Sequence, residues 1–386
     1  MFKKILVLLI CFLSIFSISC ADFKARDKIN LDQQLIYEYE DNDINYKIIN
    51  NEMVDTYLIA TALYMDFKSD TVLLNTDEHL IYKNAKEFFT PYKNHEFLKN
   101  FDKYVFNKDI NGDVIGVILS YNNDNNLEKL HDVDSKYRNG IFKDQREIDL
   151  LIEGLKSFYE DTNAKKYFED NNELLLTANA YINDNIKNTK VIELIKTMEE
   201  YLNTKDKYYK DKKIEYEVVL TLYRPSMASF YSYQTKDTNK IINFGSVNDF
   251  TRNPYKFDIN YMVENTIHEY LHSYINKPVY DITIKNYVND DIRNMDLTTN
   301  NMYKNMPIYR QLDEYLVRAI EGRIYTKVFD KEYTFNKILD KEIKYGGFES
   351  LEYVYNYLLN YENKDEFKDI DDFLPQIIDI LIKKFI

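Results

Sequence analysis

Apolar residues recur at helical spacing through residues 53–201, most regularly in 54–67, 78–89, 149–158 and 173–186, and each of these windows predicts an amphipathic helix. One stretch breaks that period. Val114-Ile115-Gly116-Val117-Ile118-Leu119 is a short, almost unbroken apolar run and predicts a buried strand. Near Lys212 the pattern changes again: Ile214 to Leu222 reads as a strand, a second strand is expected at 240–244, and Pro225, Gly245 and Pro254 mark turns around them. Helical spacing resumes at 259–275, where Asn276 and Pro278 are expected to stop the helix, and continues at 306–329 and in the C-terminal tail. Upstream, residues 21–45 are polar and lack sustained period, apart from a candidate strand at 35–39. Helices, then a small antiparallel or mixed sheet, then helices again predict an α+β, predominantly helical fold. The expected division is a leader at 1–19, a tether at 20–45, a mostly helical domain at 46–210 and a second domain at 211–386.

The first residues follow a different logic. Lys3 and Lys4 precede an almost uninterrupted apolar run over 5–19, shorter than the roughly 20 residues of a membrane span, as in an export signal. Cys20 follows the small and apolar Ser17-Ile18-Ser19, so the segment resembles a bacterial lipobox. That resemblance implies lipidation at Cys20 and a protein held on a bacterial cell membrane, periplasmic or surface-facing, through its lipid anchor only. Cys11 and Cys20 are the two cysteines, so beyond position 20 no disulfide can form, and an apolar core has to supply the stability. Removing Lys3 and Lys4 takes the formal net charge from -14 to -16, which argues against nucleic acid as a partner.

Chemistry concentrates in one helix. His268 and His272 lie four residues apart and so project from one helical face a turn apart, which is metal-chelating geometry. Glu269 completes the pattern His-Glu-x-x-His, in which the glutamate takes a proton from water beside the metal's open position. With five histidines in the chain, the chance expectation for this pattern is roughly 0.005 per sequence of this composition. Val263, Ile267 and Leu271 form an apolar stripe that can anchor the helix.

A catalytic zinc site uses three protein ligands and keeps a fourth position for water. His79, His95 and His131 show no metal spacing, so the third ligand is expected to be a carboxylate. On the apolar helix around Leu312 to Glu321, the polar residues Glu314, Arg318 and Glu321 share one stripe at i, i+4 and i+7. A buried carboxylate there needs a positive partner, which a metal ion supplies. Glu314 is the expected ligand, with Glu321 and Asp313 as substitutes, and Arg318 is expected to orient the Glu314 carboxylate from behind. The bland alternative is an exposed Glu-Arg pair worth a few tenths of a kcal/mol.

The His268 to His272 helix, followed about forty residues later by a glutamate on a second helix, resembles the gluzincin type of zincin metallopeptidases. The segments I-H-E-Y-L-H-S-Y-I-N-K-P and D-E-Y-L-V-R-A-I are more closely similar to an exported bacterial family known as a domain of unknown function. The resemblance implies a sheet next to the metal helix, Zn²⁺ held by His268, His272 and Glu314, Glu269 as general base, and a peptide or protein as substrate. It also implies an edge strand near the metal helix that aligns an extended peptide; the strand at 240–244 is either that edge or an ordinary core strand. Tyr303 and Tyr309 are candidate donors to the substrate oxyanion. A surface lipoprotein with a binding role and a structural or vestigial metal site is the alternative, as is hydrolysis of a cell-wall peptide.

Overall fold

The computed structural model describes residues 33–42, 44–68, 80–101, 114–115, 118–119, 145–209, 212–223, 229–234, 238–246, 258–287, 295–300, 303–363 and 366–385. The leader, Cys20 and the first part of the expected tether lie outside these residues. The chain forms two compact units, one of 1–189 with 213–262 and one of 190–212 with 263–386. The division therefore falls elsewhere than at 210: the strands after Lys212 belong with the N-terminal helices.

The first unit is built on a five-stranded mixed sheet of order β1-β2-β3-β5-β4. Its strands are β1 Gln33–Glu40, β2 Asn45–Asn51, β3 Lys213–Thr221, β4 Ser229–Gln234 and β5 Thr238–Ser246. β2, β3 and β5 run parallel to one another, while β1 and β4 close the two edges antiparallel. The central strands are buried on both faces, with Ile48, Ile49, Val218, Val219, Ile241 and Ile242 at 4 % exposure or less, as parallel strands require. The candidate strand at 35–39 lies in β1, so this end of the expected tether belongs to the sheet, and 240–244 lies inside β5, the ordinary core strand of its two readings rather than an edge that a peptide can join.

Helices α1 Glu52–Lys68, α2 Leu80–Phe89, α3 Gln145–Asp161, α4 Ala164–Asp170 and α5 Asn172–Asn185 complete this unit, close to the helical windows read from the pattern. The expected strand at 114–119 is not one: Val114, Ile115, Ile118 and Leu119 are helical and buried. Two apolar pairs four positions apart make a helical face, and this spacing outweighs the β-branched composition. β2 was not foreseen, because three of its seven residues are asparagines. Asn50 and Asn51 are engaged through their side chains. Asn51 Oδ1 accepts from the amides of Met53 and Val54 at 3.0 Å and caps α1, and Asn50 donates to the Leu220 carbonyl at 3.1 Å while accepting from Asn179 at 2.8 Å.

The second unit is helical: α6 Val191–Leu202, α7 Ile259–Asn286 (its first turn lying in the other unit), α8 Ile308–Val328, α9 Asp340–Lys344, α10 Leu351–Tyr357 and α11 Ile370–Phe385, with single turns between them. α6 and α10 pack against α8, whose side chains are buried almost all round. α7 does not stop at Asn276. It runs through Pro278 for 28 residues, although an internal proline forfeits one backbone hydrogen bond, a loss of about 3 kcal/mol. Val279 and Thr283, beyond the proline, are fully buried, and that packing offsets the loss. Among the described residues no helix is long and apolar enough to cross a membrane.

Candidate metal centre

α7 delivers the two histidines because it is buried nearly all round. Between Met262 and Asn276 every residue is buried except Glu264, Asn265 and His268, which are partly exposed. Val263, Ile267 and Leu271 fix the helix in the core, at 1 % exposure or less, and the partly exposed stripe turns His268 toward solvent while His272 lies a turn deeper.

Three side chains converge. His268 Nε2 and His272 Nε2 are 3.2 Å apart, His268 Nε2 is 3.7 Å from Glu314 Oε2, and His272 Nε2 is 3.6 Å from Glu314 Oε1. A tetrahedral ion with bonds of about 2.0–2.1 Å sets its ligand atoms about 3.3 Å apart, so the triangle fits one small cation. Glu314 Oε1, buried in a residue with 0 % exposure, has no hydrogen-bond partner, a free lone-pair oxygen of the kind a metal ion would use. Among the described residues these three form the one group of His and carboxylate side chains close enough to hold a metal ion.

The outward ring nitrogens are also held. His268 Nδ1 lies 3.3 Å from Glu321 Oε2, and His272 Nδ1 lies 2.8 Å from Asn276 Oδ1. Glu321 and Asn276 can each accept from an Nδ1–H, and that tautomer presents Nε2 to a metal ion, which takes the place of the second proton that the carboxylates favour on His268. Glu321 thus serves the far side of His268 and does not reach the ligand triangle. Asp313, the other substitute, is buried beside Glu314 in sequence, yet both its oxygens lack hydrogen-bond partners and no ion pair reaches them. Arg318 Nη1 donates to Glu314 Oε2, and its Nε donates to Glu342 Oε2 at 2.7 Å. Arg318 therefore stands where the i, i+4 spacing put it.

The cluster attracts positive charge. Burial pushes the His268 imidazole down, but its bonds to Glu314 and Glu321 outweigh this and raise its pKa to about 10. His272 goes the other way, to about 4, through burial, with the His268 charge adding to it and Glu314 offsetting only part. Burial also opposes ionisation of Glu314, yet Arg318 and the two histidines hold its carboxyl well below the usual carboxylate range. Glu264, one turn before His268, is pushed up to about 7 by burial and by Glu321, and is eased by its ion pair with Lys341. Two carboxylates facing one imidazole stabilise a cation there, whether a proton or a metal ion.

Neither a family model, nor a curated protein, nor a solved structure matches this chain. Glu269 is buried at 3 % exposure beside His268. Of the two tyrosines, Tyr303 is buried with its ring centroid 5.6 Å from the Arg318 guanidinium, and its phenol is held well above its ordinary pKa by burial, then by Glu314 and, more weakly, by Glu269. Tyr309 instead packs edge-on against Tyr280, with ring centroids 5.2 Å apart. Two residues of the centre escaped the sequence reading. Asn276 continues the 268, 272 series by another four residues, a signal hidden by reading Asn276 and Pro278 as a stop. Glu342 comes from α9 and has no local signature.

Proposed function

We propose that this chain is a zinc-dependent peptidase with His268, His272 and Glu314 as ligands and Glu269 as general base. The observation that carries the reading is the meeting of both Nε2 atoms with a Glu314 carboxylate that lacks enough donors of its own. Two imidazoles and one carboxylate are a donor set that suits zinc, and three protein ligands rather than four favour a catalytic over a structural site. When bound, zinc supplies Lewis acidity and lowers the pKa of water to about 7. Glu269 takes the proton of the attacking water and passes it to the leaving amine. Tyr303, whose phenol stays protonated, donates a hydrogen bond to the substrate oxygen as charge develops on it. Peptide as the substrate class follows from the resemblance of the His-Glu-x-x-His helix, with a glutamate on a second helix about forty residues on, to the gluzincin type of zincins. Export and lipidation at Cys20 belong to the same proposal; Cys20→Ala should abolish lipid labelling, and labelling that persists would refute it.

The decisive experiment is metal analysis of the purified protein, cleavage profiling on a mixed peptide library, and both again on Glu269→Gln. The amide keeps the shape of the side chain but accepts no proton. We expect near-normal zinc content with hydrolysis reduced at least about 100-fold. Zinc without cleavage in the parent protein would favour a binding role, and a Glu269→Gln protein that cleaves at the parental rate would remove this site as the catalytic centre.

A further inference from the structure

Arg318 is shared between two carboxylates, and the sharing has a consequence for the metal ligand. Its Nη1 edge meets Glu314 Oε2, one turn back on α8, and its Nε edge meets Glu342 Oε2 on α9 at 2.7 Å. The guanidinium lies 4.3 Å from the Phe348 ring centroid and 5.6 Å from that of Tyr303, so rings limit its movement as well. An arginine with a single carboxylate partner tends to take both oxygens in a fork. Here Glu342 holds Nε and with it the orientation in which Nη1 meets Oε2, and Glu314 Oε1 is left without a hydrogen-bond donor, 3.6 Å from His272 Nε2.

We propose that Glu342 is a positioning residue for the metal ligand Glu314, acting through Arg318: by holding Nε it fixes the guanidinium in the orientation in which Nη1 meets Oε2 and Oε1 is left for the ion. This rests on the reading of His268, His272 and Glu314 as ligands. It adds a residue from another helix, 28 positions beyond the ligand, that touches neither the ion nor a histidine. Local backbone is shaped to the task. A side chain at Gly346 would stand 2.7 Å from both the Glu342 carbonyl oxygen and Glu342 Oε2, so only glycine leaves the carboxylate its place. The next residue, Gly347, has φ +75°, a conformation side chains rarely adopt, and its carbonyl accepts from Thr299 N at 3.1 Å and Thr298 Oγ1 at 2.5 Å. Asn300 Nδ2 donates to the Gly346 carbonyl at 2.6 Å, and Phe348 N donates to the Glu342 carbonyl at 3.2 Å. The turn after α9 is thus tied down on both sides of the carboxylate that holds Arg318.

The test is a double-mutant cycle on the full mature chain, reading zinc affinity by chelator competition and the visible spectrum of the cobalt-substituted protein. Glu342→Gln keeps an acceptor oxygen and loses the charge. It should weaken zinc binding about 10- to 100-fold, the range for partners that orient a metal ligand, and shift the cobalt bands as Glu314 changes its coordination. In an Arg318→Met background the same substitution should change affinity less than about 2-fold, because the intermediary is gone. Should Arg318→Met fail to fold, Gly346→Ala crowds Glu342 while leaving Arg318 in place and should weaken zinc in the same direction, with the same spectral shift. Parental affinity and spectrum in Glu342→Gln, or an equal loss with and without Arg318, would overturn the clamp while leaving the ligand set intact. Parental affinity and spectrum in a folded Gly346→Ala protein would overturn it too. A parent chain that takes up neither zinc nor cobalt would overturn the ligand reading and the clamp together, and a chain that binds zinc but cleaves nothing would leave the clamp measurable.

Discussion

Each unit buries a carboxyl group almost completely, Asp55 at 3 % exposure in the first and Glu314 at 0 % in the second, and the two end in opposite states. Asp55 sits on α1 and accepts a hydrogen bond from Thr221 Oγ1 of β3, with no cation among its influences; burial raises its pKa to about 8, and the Thr221 bond recovers only part of the shift. Glu314 suffers the same burial, but Arg318, His272 and His268 hold its carboxyl well below the ordinary range. Burial sets the penalty for charge in both places; neighbouring cations decide whether charge survives it. The first unit uses its acid as a neutral hydrogen-bonding group between a helix and a strand. The second keeps an anion because Arg318 and the histidines stabilise it, and an ionised buried carboxylate is what the proposed metal ligation requires.

The largest effect that can break this contrast is one of pH. The folded-state pKa of Asp55 lies above its unfolded value, so between about 4 and 8 the folded chain holds a proton that the unfolded chain has released. The stability this contributes is fully present below about pH 4 and is lost as pH rises through about 8, at about 1.4 kcal/mol per pH unit. Asp55→Asn keeps the shape and cannot ionise. Chemical denaturation at pH 5, 6 and 7 should therefore show a shallower loss of stability with rising pH in the variant, by about that slope. Equal slopes would mean that Asp55 is charged in the fold and that the two acids do not differ.

Next in size is the separation of ligand from orienting partners. Glu314→Ala should lower zinc affinity about as much as His272→Ala, and beyond the roughly 10- to 100-fold expected for Glu321→Ala or Asn276→Ala, which free a ring without removing a ligand. Competition titrations with a chelator rank all four. Unchanged zinc in Glu314→Ala with loss in Glu321→Ala would move the third ligand to Glu321, seven residues on.

The grouping of His268, His272 and Glu314 was largely readable from the chain, and the reasons are local. His268 and His272 are spaced by one helical turn with Glu269 next to the first, and Glu314, Arg318 and Glu321 form the polar stripe of a helix otherwise apolar, so short-range pattern carries all six. The α+β class, with its helices and the strands β3 and β5, was legible for the same reason. What failed depended on partners far away in sequence. β2 looks like a polar linker until Leu220 and Asn179 satisfy Asn50. Pro278 looks like a helix stop until Val279 and Thr283 are seen buried beyond it. Glu342 has no pattern at all, because its meaning comes from an arginine on another helix.

The smallest expected effect is the sharpest test of the contrast, because it compares consecutive residues of one helix. Asp313 and Glu314 are both buried on α8, at 1 % and 0 % exposure. Glu314 has Arg318 and two histidines within ion-pair reach; Asp313 has no hydrogen bond to either oxygen, and burial lifts its pKa well above the usual range, with Arg310 offsetting part of that and Glu314 adding to it. Burial thus favours the neutral form of Asp313, and an asparagine matches that form in size and in lacking charge. Asp313→Asn should change zinc affinity less than about 3-fold and stability by no more than about 1 kcal/mol at pH 7, within the range of substitutions that break no partnership. Glu314→Gln, the same exchange of oxygen for nitrogen one residue on, should lose zinc by more than about 10-fold, since the charge it removes is the one that the cation uses. Titrations of the two variants side by side decide the matter: comparable losses of zinc would mean that Asp313 carries charge into the centre, and that burial without a cation does not neutralise an acid in this fold.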